Sequence, residues 1–152
     1  MVGIGQIPCQ LNGGRLYLPR ELQGRLGALL RQEWLVSYWS DGCLRVVHRD
    51  LWPDYLNHIR GVLASVEGAA ATQEFIVQSA KTIRMDQGGR WNLPKDLAAF
   101  AGITERAECL LVSNTAWIEV WLRSAREDKI RQLLIPTGVS VQGCRAFPQL
   151  GA

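Results

Sequence analysis

The chain has 152 residues, 47% of them hydrophobic and 20% charged, with a formal net charge of +3. That balance is typical of a globular chain of one domain or two small ones, and it excludes a disordered tail, a collagen-like rod and a coiled coil. No run approaches the ~18 apolar residues of a membrane span, and Met1–Gln6 has no basic run before an apolar stretch. Neither a secretory signal nor a membrane partner is expected, and the cytoplasm is the expected compartment.

In chain order, the first element is a strand running into the turn Gly13-Gly14-Arg15, followed by a short strand. Leu18-Pro19 then opens a helix, because proline is tolerated in a first helical turn; Leu22, Leu26 and Leu29 line one of its faces. Two apolar runs, Leu35-Val36-Ser37 and Leu44-Arg45-Val46-Val47, flank a turn containing Asp41-Gly42, which predicts a β-hairpin. Pro53 opens a second helix with Leu56, Ile59 and Leu63 on its apolar stripe. The segment Gly61–Thr82, with Ala69-Ala70-Ala71 and Phe75-Ile76-Val77, is long for a linker and predicts a helix of its own.

The series then repeats. Gly13-Gly14-Arg15-Leu16-Tyr17-Leu18-Pro19-Arg20-Glu21-Leu22 matches Gly88-Gly89-Arg90-Trp91-Asn92-Leu93-Pro94-Lys95-Asp96-Leu97 at an offset of 75 residues. Downstream, a helix with Leu97, Phe100 and Ala101 on one face ends at Gly102. A hairpin follows from Leu111-Val112-Ser113 and Ile118-Glu119-Val120-Trp121, and Ser124-Ala125-Arg126-Glu127 predicts a capping box before Ile130 and Leu134. The chain therefore divides into a first unit over 1–60, a linker over 61–82, a second unit over 83–135 and a tail over 136–152 expected to be loosely ordered. A unit of ~50 residues buries little surface alone, so the two should pack together.

The chemistry-bearing positions cluster at the two turns. Gly14 and Gly89 allow tight turns and close approach to another molecule. Arg15 and Arg90 leave those turns with a planar fork of donors that fits phosphate or guanine O6/N7. Arg20, Arg25, Lys81, Arg84 and Lys95 flank them and would neutralise phosphates. A second use for both arginines, bracing their own hairpins, stays open. Residues 1–75 carry seven basic and seven acidic side chains and residues 76–152 ten and seven, so the excess charge lies in the second half. No Gly-Lys-Ser/Thr follows either glycine pair, which excludes a nucleotide-cradling loop of that kind.

Asp86 can accept backbone N–H bonds in its turn. Cys9, Cys43, Cys109 and Cys144 are widely spaced and read as buried, reduced thiols; His48 and His58 read as a surface and a helix-face residue. Zinc spacing is missing, so no metal and no cofactor is expected. The six tryptophans suit core or subunit-interface packing, with Trp91, beside Arg90, the one expected to face a ligand. No histidine lies beside a cysteine in a nucleophile motif, and Glu127-Asp128 reads as a solvated pair, so neither an enzyme nor a small-molecule substrate is expected.

Two copies of Gly-Arg-x-x-Leu-Pro, each followed by a helix and a hairpin, resemble the MraZ family over about residues 1–135. The resemblance implies an α+β fold: tandem duplicated AbrB/SpoVT-like swapped-hairpin β-barrel units with flanking short helices. It implies a sequence-specific regulator that binds double-stranded DNA at repeated promoter boxes of the division and cell-wall gene cluster. Such a protein would be nucleoid-associated and would assemble with itself into a ring. The family's signature, an Asp four residues before an Arg, is met by Asp86 and Arg90; in the first unit Leu11 stands four residues before Arg15. The family usually has arginines in the linker, and residues 71–75 have none. The implied DNA-binding set is Arg15, Arg90, Asp86, Arg20, Lys95, Gly14 and Gly89. The rival expectation is an AbrB-like protein-interaction or antitoxin-type module.

Overall fold

The computed structural model describes residues 5–114 and 116–134; the tail 136–152, with Cys144, lies outside the described residues. In order come β1 (Gly5–Asn12), β2 (Arg15–Tyr17), α1 (Arg20–Leu26), β3 (Trp34–Tyr38), β4 (Leu44–His48), α2 (Trp52–Leu63) and α3 (Ala69–Ser79). The second half supplies β5 (Lys81–Ile83), β6 (Arg90–Asn92), α4 (Lys95–Phe100), β7 (Glu108–Ser113), β8 (Ile118–Leu122) and α5 (Arg123–Leu134). This is an α+β fold.

The strands form one eight-stranded sheet in the order β5-β3-β4-β8-β7-β1-β2-β6. A bridge between Met85 and Trp91 brings its two ends together into a nearly closed antiparallel barrel. Neighbours are exchanged between the repeats. The first repeat's β1 pairs with β7 of the second, and the second repeat's β5 pairs with β3 of the first. Exchanging every strand for its repeat equivalent reproduces the same cyclic order, read in reverse. A pseudo-two-fold axis therefore crosses the barrel between β4 and β8 at one pole and between β2 and β6 at the other.

Both poles lie in exact register with this axis in residue terms. At one, Arg45 faces Glu119, its own repeat equivalent; at the other, Leu16 faces Trp91, again equivalent to it. Paired backbone bonds obey the same symmetry: Leu18 N–H donates to the Gly89 carbonyl and Leu93 N–H to the Gly14 carbonyl, each at 3.0 Å.

Alternation along the strands fills the barrel. Leu11, Leu16, Val36, Leu44, Val46, Trp91, Leu111, Ile118 and Val120 point inward with Leu22 and Leu97 from the short helices. A second cluster, with Val47, Tyr55, Ile59, Ile76 and Trp121, lies between α2, α3 and the outer face of β4 and β8. That covering explains why all five residues of β4 are buried. Burying both faces makes the β4·β8 pole a two-sided core, whereas among the described residues no helix covers the outer face of the β2·β6 pole.

Several expectations need correction. Trp91 is fully buried, its ring 5.8 Å from that of Trp34, because alternation on β6 sends it into the barrel while Arg90 and Asn92 point out. His48 is buried, not on the surface: its Nε2–H donates to Gln32 Oε1 at 2.6 Å and its Nδ1 accepts from Asp50 N–H at 3.1 Å. Leu29 is exposed because the α-helix ends at Leu26 and Gly27, at φ +54°, starts a 3-10 turn that buries Leu30 instead. Phe100 is 59% exposed at the end of α4, with Phe75 and Tyr38 rings 5.4 and 5.6 Å away. The Ser124 capping box does not form, since β8 runs directly into α5 at Arg123 and Glu127 pairs with Arg123 at 3.4 Å.

Gly102 does act as a helix terminator. At φ +71° it follows α4, with Gly102 N–H donating to Ala99 O and Ile103 N–H to Ala98 O, the two bonds of a Schellman motif. Cys43 and Cys109 are buried free thiols, and Cys9 is half-buried directly opposite Cys109. Burial pushes the Cys109 thiol up to about 11, and burial together with Cys109 pushes Cys9 up to about 12.

Candidate nucleic-acid interface

The bare pole is a two-stranded antiparallel ribbon, β2·β6, whose inward residues are Leu16 and Trp91. Its outward residues form a quartet: Arg15 stands opposite Asn92 and Tyr17 opposite Arg90. Diagonal neighbours on such a ladder lie about 7–8 Å apart, so Arg15 and Arg90 share one face within reach of a single ligand. The ribbon thus brings the two sequence-predicted arginines together, one from each repeat.

The same three residues, Gly-Gly-Arg, make two different turns. In the first repeat β1 and β2 pair up to Asn12 opposite Arg15, leaving Gly13 at φ +61° and Gly14 at φ +78° as a two-residue hairpin loop. Positive φ at both positions is what a type I′ turn requires. In the second repeat the Gly89 N–H donates to Asp86 O at 3.1 Å, and the Asp86 N–H to Arg90 O at 2.8 Å. With Gly89 at φ +75°, this is a three-residue loop of the type I plus bulge kind.

Position 11 versus 86 explains the difference. Leu11 is 1% exposed and zips against Leu16, so the ladder continues to the glycines. Asp86 instead spends its carboxylate on the loop: Oδ1 accepts from Gly88 N–H at 2.8 Å and Arg90 N–H at 3.1 Å, and Oδ2 from Arg90 Nε at 2.9 Å. Burial pulls the Asp86 pKa up, yet the Arg90 and Gly88 amides and the Arg90 guanidinium together hold it below the ordinary carboxylate range.

Arg90 is held from a second side. Its guanidinium carbon lies 5.6 Å from the centre of the Tyr17 ring, within cation–π reach. An interaction with the Tyr17 side chain, ahead of Asp86, raises the Arg90 pKa above arginine's usual value. Arg15 has neither support. It is exposed, Leu11 replaces the carboxylate, Asn92 replaces the ring, and no partner for its guanidinium is found among the described residues.

Arg20 and Lys95 are exposed first residues of α1 and α4, related by the pseudo-two-fold and flanking the ribbon. A cation there opposes the helix dipole by a few tenths of a kcal/mol. The nearby acids are engaged elsewhere, Glu21 with Arg25 at 3.4 Å and Asp96 with Lys81 at 2.7 Å. Gly14 and Gly89 contribute backbone: each carbonyl ties the ribbon to the other repeat, and a Cβ on Gly89 would come 3.0 Å from Gln23 Nε2.

Sequence reasoning missed Tyr17 and Asn92. Both stand two residues after an arginine, and period-two alternation puts them on its face; what was missing was the register that sets each beside the other repeat's arginine. Among the described residues no three His, Cys, Asp or Glu side chains group to hold a metal ion, and no helix is long and apolar enough to cross a membrane.

An eight-stranded barrel closed by exchange of strands between two repeats, with one pole covered and the other a bare arginine ribbon, is a duplicated AbrB-like barrel in a single chain. No family model matches the sequence. It is similar over most of its length to proteins named transcriptional regulator MraZ. That of Christiangramia forsetii is 26% identical over 133 residues, covering 86% of this chain and 82% of the relative. Those of Thermomicrobium roseum and Nitrosospira multiformis are each 28% identical, covering 71% and 77% of this chain and 72% and 79% of the relatives. At 26–28% identity over 71–86% of its length, the chain is a divergent relative of these regulators.

Proposed function

We propose that the chain is a DNA-binding transcriptional regulator that lays its β2·β6 ribbon in the major groove. The observation that carries this reading is the uncovered ribbon, which presents Arg15 and Arg90 on one face, with the exposed Arg20 and Lys95 three residues after its two strands. B-DNA's major groove, about 12 Å wide, admits a two-stranded ribbon, and arginine in it reads guanine bidentately. Similarity to relatives named transcriptional regulators supports the same reading.

The finer reading is that it recognises repeated boxes in the promoter of the division and cell-wall gene cluster, at the nucleoid, as a ring-like homo-oligomer. What supports the target is the resemblance of the two arginine turns to the MraZ family. A physical argument supports repetition: with Arg90 paired to Asp86, Arg15, Arg20 and Lys95 leave one barrel about three phosphate contacts, which alone give weak and salt-sensitive binding. Linking several such ribbons raises avidity about 10²–10⁴-fold without any new contact.

Titration of the full chain against its own upstream promoter DNA, with a random duplex of equal length as competitor and salt varied, tests the reading. Preferential binding that falls steeply with salt is expected, together with a mass well above one subunit by light scattering. Weak binding indifferent to sequence would sink it. It would favour the protein-interaction module instead, for which the exposed aromatic group of Phe75, Phe100 and half-buried Tyr38 is the one favouring observation.

A further inference from the structure

The pseudo-two-fold axis relates the two arginines by position but not by environment. Arg90 has its Nε bonded to Asp86 at 2.9 Å and its guanidinium over the Tyr17 ring; Arg15 has Leu11 and Asn92 in those places and no partner among the described residues. Holding a guanidinium before the ligand arrives matters. A bidentate contact to a base edge needs the fork in one orientation, and immobilising a long side chain on binding weakens affinity about two- to tenfold. A phosphate contact tolerates many orientations. The turns differ too, a two-residue loop before Arg15 and a three-residue loop before Arg90, so the two side chains leave the backbone from different frames.

Resting on the DNA-binding reading, we propose that the ribbon is a polar reader. Arg90, positioned by Asp86 and across the repeat boundary by Tyr17, discriminates bases; Arg15 grips the phosphate backbone. Each barrel therefore recognises a non-palindromic segment in one direction, in spite of its two-fold architecture. Tyr17 is a positioning residue acting on the opposite repeat's arginine. It is 46% exposed, and the barrel interior is already closed beneath it by Leu16.

The experiment selects duplexes from a pool with a 20-base-pair random core, using the full chain. It then compares the selected duplex with a scrambled one for Arg90→Ala, Arg15→Ala, Tyr17→Ala and Asn92→Tyr, all exposed or half-exposed positions. Arg90→Ala should lower the preference for the selected duplex about ten- to hundredfold. Arg15→Ala should weaken binding to both duplexes by the same factor and reduce the log–log salt slope by about one. Tyr17→Ala should lower preference in the direction of Arg90→Ala while leaving the salt slope unchanged, which loss of a phosphate contact would not do. Asn92→Tyr should add preference at base pairs under the Arg15 half. Equal loss of preference from Arg15→Ala and Arg90→Ala, or no change from Tyr17→Ala, overturns the proposal while leaving DNA binding standing. Failure of the parent chain to enrich any duplex overturns the DNA-binding reading, and the polar reader with it.

Discussion

Replacing Glu119 by alanine removes the acceptor of three hydrogen bonds at the covered pole of the barrel. Glu119 Oε2 accepts from Arg45 Nε and Trp117 Nε1, each at 3.1 Å, and Oε1 from Trp121 Nε1 at 3.0 Å. Arg45 lies on the pseudo-two-fold opposite Glu119, with its guanidinium 3.7 Å from the Trp39 ring centre and 4.2 Å from that of Trp117. Its side chain is 9% exposed, and Arg45 Nη1, Ser37 Oγ and the Tyr55 hydroxyl around it make no well-formed hydrogen bond. Glu119 is therefore the only anion paired with a buried cation among the described residues. A dyad between identical strands would set like charges face to face; duplication within one chain frees the two positions to differ.

Breaking such a pair by removing one partner costs about 3–5 kcal/mol, because the remaining charge stays buried without compensation. Against a total stability of about 5–15 kcal/mol, that is a large fraction. With a urea m-value of about 2 kcal/mol/M, Glu119→Ala should lower the unfolding midpoint by about 2 M. Glu119→Gln, which keeps an acceptor and loses the charge, should cost less. Replacing both Arg45 and Glu119 by leucine should recover most of the loss, since a packed apolar pair matches or exceeds a buried ion pair. Urea unfolding followed by tryptophan fluorescence measures all three. A Glu119→Ala cost below about 1 kcal/mol, or a double variant no more stable than the single one, would refute the reasoning.

Gly89→Ala should destabilise more than Gly14→Ala. Both residues have positive φ, which costs an L side chain about 1–2 kcal/mol, but only at Gly89 does the new Cβ meet an atom, Gln23 Nε2 at 3.0 Å, whose bond to Leu18 O must shift; thermal unfolding of the two variants decides. Acid should destabilise the native state through Asp86 and Asp96, the latter held below the ordinary carboxylate range first by Lys81. With folded pKa values below the unfolded ones, their contribution is complete above about pH 5 and is lost as pH falls through the folded values. Asp86→Asn should therefore flatten the fall in urea midpoint below about pH 5, and an unchanged slope would count against it. In a Cys144→Ser background, Cys9, Cys43 and Cys109 should resist a thiol-specific disulfide reagent at pH 8 until the protein unfolds. At pKa values of about 11 and 12 for Cys109 and Cys9, at most about one thiol in a thousand is thiolate; reaction at the rate of a free thiol would contradict this.

Much of this architecture was legible in the chain. The match of Gly13–Leu22 to Gly88–Leu97 at a fixed offset identifies the duplication, and period-two runs mark both hairpins. Gly102 announces its helix end, and Arg15 and Arg90 stand out at their turns. These are local signals, in which a residue's own backbone preference or its nearest neighbours determine the outcome. Long-range register was not legible. Nothing local says that β1 pairs with β7 and β5 with β3, or that helix α2 covers one pole and leaves the other bare. Trp91 is adjacent to Arg90 in sequence, and only strand alternation in the closed barrel sends one into the core and the other outward. The contrast between Leu11 and Asp86 was visible as a missing motif residue. Its consequence, two unlike turns and one arginine clamped by the opposite repeat's Tyr17, depends on packing between segments 75 residues apart in sequence, and only the tertiary structure decides that.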